Sequence, residues 1–87
     1  MAKLIKATGE VKDVNPLDNH HGFTLTECYT LIECSTIEVV YLPKNMILIV
    51  DEEATLKSDQ IVNVGASVLC GQLILGNAIY CKQSQLK

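Results

Sequence analysis

Two apolar runs set three residues apart constrain this chain more than any other feature. Ile37-Glu38-Val39-Val40-Tyr41-Leu42 is rich in β-branched residues, Met46-Ile47-Leu48-Ile49-Val50 is apolar on both faces, and Pro43-Lys44-Asn45 joins them. β-Branched and aromatic side chains suit a pleated surface, and so short a link brings the two runs back alongside each other. The spacing predicts a hairpin whose second strand is buried. Glu38 is a charge inside the first strand; alternation sets it on the face opposite Ile37 and Val39, a face that is either wet or meets a partner. Tyr41 shares the face of Ile37 and Val39 and is expected in the core, with its hydroxyl hydrogen-bonded.

The remaining elements follow from turn and cap chemistry. Residues 3–6 and 10–14 are extended and separated by Ala7-Thr8-Gly9-Glu10, where Gly9 can supply the positive φ of a tight turn, so an opening hairpin is expected. Asn15-Pro16 stops regular pairing, and a polar loop continues over 17–22. Thr24-Leu25-Thr26-Glu27 has the spacing of a capping box, and Leu25, Cys28, Tyr29 and Ile32 recur on one helical face. A helix over 25–33 is predicted. Ile61, Val64, Gly65 and Val68 also match helical offsets, with Ser58 or Asp59 as N-cap and Gly71 as a stop, against the pull of several β-branched residues. Residues 72–75 and 78–82 flank Gly76-Asn77, a two-residue hairpin signal, and the tail from about residue 83 is expected to fray.

The order β-β-α-β-β-α-β-β gives an α+β fold: a small antiparallel or mixed sheet with one or two helices packed on one face. Residues 1–87, 9.6 kDa, suffice for a single domain. A domain this short buries only about 60 to 65% of its unfolded surface, so a partner subunit would help it.

Charge and cysteine usage then exclude classes of function. The net charge of −3 gives no field that would draw the chain to nucleic acid or anionic lipid in general. The apolar run 46–50 is far below the roughly 20 residues that span a bilayer, and no secretory signal pattern is read at the N-terminus, so a cytoplasmic setting is expected. Cys28, Cys34, Cys70 and Cys81 lack the close pairing of structural zinc ligands, and no pattern sets a base beside them; packing thiols are expected rather than a metal site or a nucleophile. The dispersed glycines offer no phosphate loop, and with one Phe, three Tyr and no Trp there is no stacking platform for single-stranded nucleic acid. The chain therefore reads as no enzyme, with no cofactor and no metal.

Several residues remain as binding candidates. His20-His21, beside Gly22, is either a solvated loop or a pH-sensitive contact with an anion or a partner. Asp51-Glu52-Glu53 is either an acidic cap on the hairpin or a carboxylate site. Lys44 and Lys57 supply positive charge for an anionic ligand. The ligand-binding set is thus His20, His21, Glu38, Lys44, Asp51, Glu52 and Lys57.

The segments Lys3-Leu4-Ile5-Lys6-Ala7-Thr8-Gly9-Glu10-Val11, Phe23-Thr24-Leu25, Ile37-Glu38-Val39-Val40-Tyr41-Leu42, Ile49-Val50-Asp51-Glu52-Glu53 and Leu56-Lys57 resemble a small family of unknown function from phages and bacterial mobile elements. That family's pattern is an opening hairpin, a helix leading to a G-Y-I-E-x-V-x-L strand, an N-E-E-G turn and a closing G-D-V-L-V-C-like strand. Gly76-Asn77-Ala78-Ile79-Tyr80-Cys81 is the counterpart of the last. Ser35-Thr36 replaces the glycine and aromatic before Ile37, and Ala54 stands where the turn glycine usually is. The resemblance covers nearly the whole chain and brings no catalytic residues with it. It implies an accessory protein in the cytoplasm of a bacterial host. The leading expectation is a non-enzymatic sponge that sequesters a nucleotide-type immune second messenger in a pocket shared between subunits of a homo-oligomer. The alternative is a protein-interaction module that inhibits a host protein through a sheet edge or the face around Glu38.

Overall fold

The computed structural model describes residues 2–17, 22–57 and 60–86. The elements run β1 (Ala2–Ile5), β2 (Val11–Val14), α1 (Leu25–Ile32), β3 (Ile37–Leu42), β4 (Met46–Asp51), α2 (Val64–Cys70) and β5 (Ala78–Lys82), with 3-10 turns at Ala54–Leu56 and Gln83–Gln85. The strands form one antiparallel sheet in the order β2-β1-β5-β4-β3, giving the α+β fold that the sequence predicts.

Local chemistry accounts for the joints. The β1–β2 turn closes through the Lys6 amide to the Glu10 carbonyl (2.8 Å) and the Gly9 amide to the Lys6 carbonyl (3.0 Å), with Gly9 at φ 103°. The β3–β4 link reverses on Lys44 and Asn45, both left-handed. In α1 the capping box is complete: the Glu27 amide donates to Thr24 Oγ1 (3.2 Å) and the Thr24 amide to Glu27 Oε1 (3.0 Å). The helix ends one residue before the expected 33, where Glu33 turns left-handed and its amide donates to the Tyr29 carbonyl.

Alternation along the strands divides the interior into two cores. Leu4, Ile47, Ile49, Ile79 and Cys81 lie under Phe23 and the α1 residues Cys28 and Ile32. Ile5, Leu48, Val50 and Ala78 point the other way and are covered by Ala66 of α2 and by Ile74. The two helices therefore occupy opposite faces, which corrects the expectation of helices on one face. The cause is written in β4, where Ile47 to Val50 is apolar on both sides and each side needs a cover.

Two further expectations are revised. Residues 72–75 are not a sixth strand, and Gly76-Asn77 does not head a hairpin. Leu75 makes an isolated bridge to Val62, the Asn63 amide donates to the Ile74 carbonyl (2.8 Å), and the Gly76 amide donates to the Ile61 carbonyl (2.9 Å). This clip turns Ile74 down onto the sheet as part of the second core. Tyr41 is 71% exposed rather than buried, because β3 is an outermost strand and α1 lies over β4 and β5. Beyond β5, Leu86 forms a parallel bridge with Phe23, whose amide donates to the Gln85 carbonyl (2.6 Å). No helix among the described residues is long and apolar enough to cross a membrane.

Candidate functional site

The sequence candidates gather at one place only in part. β4 delivers Asp51 to the end of the sheet, where its side chain is 3% exposed. One carboxylate oxygen accepts the Glu53 amide (2.9 Å), and the other accepts Lys57 Nζ (2.6 Å). Hydrogen bonding to Asp51 holds the Lys57 ammonium above its ordinary pKa. Lys57 and Asp51 are thus spent on each other, and an anion reaching for Lys57 would have to displace a carboxylate. Glu53 accepts from Thr36 Oγ1 (3.2 Å) and Ser35 Oγ (3.5 Å), and the Glu52 amide donates to the Thr36 carbonyl (3.3 Å). This polar latch fastens the start of β3 to the exit of β4. Cys34 lies beside it, its thiol pushed above the usual range by burial and by the Asp51 charge, with Lys57 pulling the other way.

Glu38, Asp51 and Glu52 border a recess of about 140 Å³ closed by Leu73 and Ile74. Lys44 stands at the opposite end of the β3–β4 hairpin, where it and Lys82 flank an open depression of about 630 Å³ with Asn45, Gln83 and Ser84. The seven candidates therefore do not converge. His20 and His21, and with them the expected caps Ser58 and Asp59, lie outside the described residues. Among the described residues no group of His, Cys, Asp and Glu could hold a metal ion. All four cysteines are free thiols. Burial raises Cys28 and Cys81 to about 11, with the charge field of Cys81 a lesser cause at Cys28, so both stay protonated at neutral pH.

A further unclaimed feature lies on α2. Asn63 caps this helix by accepting the Ala66 amide (3.1 Å), and Gly71, left-handed at φ 73°, ends it. The helix meets the sheet through its smallest residues: Ala66 is buried, and a Cβ added to Gly65 would lie 3.2 Å from Ile5 Cγ2. Val64 (68% exposed) and Val68 (78%) consequently face outward, next to Leu73 (67%) and Val62. This corrects the reading of Ile61, Val64, Gly65 and Val68 as one helical face: of the four, Gly65 approaches the sheet and the other three are exposed. Val62, Val64, Val68 and Leu73 line an open, almost wholly apolar surface with Gly71 and Gln72. The usable signal was the small-residue pair Gly65-Ala66 at the start of the helix, which marks the side that can approach a sheet closely.

Compared with protein-family models, curated proteins and solved structures, the chain matches none.

Proposed function

We propose that this protein acts by occupancy, as a non-enzymatic module that binds another protein through the apolar face of α2. The observation that carries the reading is the exposure of Val64, Val68 and Leu73 together on a domain of 87 residues. Exposed apolar side chains gathered into one patch are a feature of interaction surfaces. The ion-paired Asp51–Lys57 and the protonated Cys28 and Cys81 give it little support as a catalyst. The sequence resemblance to a phage and mobile-element family of unknown function implies a bacterial host as the setting, and on that setting we infer a host protein as the partner.

The second reading, sequestration of a nucleotide messenger, draws on the Lys44–Lys82 depression, where two ammonium groups share one mouth. One experiment separates the two. Tagged protein and its Val64→Asp/Val68→Asp variant are incubated in host lysate, and both are titrated calorimetrically with cyclic nucleotides and ADP-ribose derivatives. A protein retained by the parent and lost by the variant supports the module. Nucleotide binding that survives in the variant and disappears on Lys44→Ala/Lys82→Ala establishes the sponge instead.

A further inference from the structure

The sheet has two edges, and they are treated differently. β2 is four residues long and guarded by charge: Lys3 pairs with Asp13 across the strands, and Glu10 takes both Lys6 (3.6 Å) and Lys12 (3.6 Å). Charged side chains on a short strand are the usual protection of an edge against pairing with another chain. β3, at the other edge, is six residues long, apolar but for Glu38, and carries no lysine, proline or bulge within Ile37–Leu42. Among the described residues no strand pairs with its outer side.

The register fixes which backbone groups that outer side presents. Thr36 accepts the Glu52 amide next to the Ile37–Asp51 pair, so antiparallel alternation turns the amides and carbonyls of Glu38, Val40 and Leu42 toward β4. Those of Ile37, Val39 and Tyr41 face outward.

We propose that this free edge pairs antiparallel with β3 of a second copy, about a two-fold axis normal to the sheet that passes midway between the two Val39 residues. The sheet then runs continuously through both chains. A second copy fits because the strand is complementary to itself in this register. Val39 opposes Val39 of the other copy and Ile37 opposes Tyr41, so every outward amide meets an outward carbonyl. Cross-strand partners must share a face, and Ile37, Val39 and Tyr41 all lie on the α1 side. The Tyr41 ring, 71% exposed in one chain, then packs on Ile37 of the other, an aromatic to β-branched pair of the kind that stabilises sheets. Moving the axis to Val40 would set Ile37 against Pro43, which has no amide to donate, so the Val39 register keeps more of the ladder. The two Glu38 side chains become diagonal neighbours on the opposite face, exposed to water that screens their repulsion. This inference stands whether or not α2 binds a partner.

The test combines mass with hydrogen exchange on the intact protein. Sedimentation equilibrium should give twice the 9.6 kDa chain mass at high concentration. The amides of Ile37, Val39 and Tyr41 should exchange as slowly as those of Glu38 and Val40 there, and faster on dilution. Val39→Pro removes an outward donor without touching the β3–β4 ladder, so it should give a folded monomer; Val68→Asp should leave the dimer intact. A parent that stays at 9.6 kDa, fast exchange at all three amides under every condition, or a dimer that survives Val39→Pro and is lost on Val68→Asp would each overturn the proposal. The exchange measurement uses the parent alone, so misfolding of a variant cannot mask the answer.

Discussion

Asn63 ties α2 to the sheet, and its removal tests the architecture directly. It is 1% exposed, and its Nδ2 donates to the carbonyls of Ile5 and Gly76 (both 2.8 Å) while its Oδ1 accepts the Ala66 amide (3.1 Å). One side chain thus ties the end of β1, the approach to β5 and the start of α2. The three bonds contribute about 1 kcal/mol each net, and leaving buried partners unsatisfied raises the total by up to about 2 kcal/mol. Asn63→Ala should therefore lose about 3 to 5 kcal/mol, a large share of the roughly 4 to 13 kcal/mol available to a chain of this length. At about 4 to 8 °C per kcal/mol, the midpoint of thermal unfolding should fall by roughly 12 to 40 °C. Asn63→Asp keeps the cap acceptor but replaces both donors with oxygen and sets a charge against two carbonyls. It should be at least as damaging at pH 7. The introduced carboxylate is favoured neutral in the folded state, so its folded pKa is raised and the deficit should shrink as pH falls through that pKa. Far-ultraviolet dichroism followed through heat and urea measures both variants. An Asn63→Ala protein within about 1 kcal/mol of the parent, or an Asn63→Asp deficit that does not change with pH, would refute the reasoning.

Other outcomes follow from single contacts. Gly22 sits at φ 81°, and a Cβ there would land on the Gln85 carbonyl, so Gly22→Ala should cost about 2 kcal/mol or more and detach the bridge between Phe23 and Leu86; urea unfolding within about 0.5 kcal/mol of the parent contradicts this. Cys28 and Cys81, raised from 9.0 to about 11, remain protonated in the folded state while the unfolded thiols ionise, so stability should fall between pH 9 and 11, by at most about 3 kcal/mol per thiol. Lys57 adds to that loss only above its ordinary 10.5, and a flat profile over the window would count against both assignments. Val64→Asp and Val68→Asp alter exposed positions and should leave the melting temperature within a few degrees of the parent; a collapse would show that these valines are core.

Much of the fold was legible because it rests on local chemistry. The capping box at Thr24–Glu27, the turn at Gly9 and the three-residue link at 43–45 each fix their element within a few residues, whatever the rest of the chain does. The two faces of the sheet were also present in the sequence. A run such as Ile47–Val50 cannot bury both of its sides under helices that share one face, so its composition already demands two layers of cover. What the sequence withheld was tertiary. Tyr41 and Ile37 lie on one side of one strand, yet only the inner end of β3 is shielded, because the strand order puts β3 at the edge. Strand order depends on long-range pairing that alternation does not encode. The same holds for 72–75, whose alternating pattern suits a strand but whose backbone partners are the residues leading into α2.

The candidate site was less legible, for a physical reason that bears on function. Asp51 and Lys57 read as independent charges, but a buried carboxylate needs a cation, and the 3-10 turn at Ala54–Leu56 brings the nearest one within 2.6 Å. Charge that looked available to a ligand was needed by the fold, while the apolar residues assigned to the fold were left exposed. The proposed dimer sharpens this inversion. A two-fold axis normal to the sheet maps each face onto itself, so the α2 patches of both copies would look to the same side. A partner with two equivalent docking points would then be held twice, and the second attachment would act at high effective concentration. Val39→Pro, which touches neither Val64 nor Val68, should therefore weaken capture of such a partner at least tenfold while leaving the single-site affinity unchanged. Equal capture by the parent and by the monomeric variant would show that the two surfaces work independently.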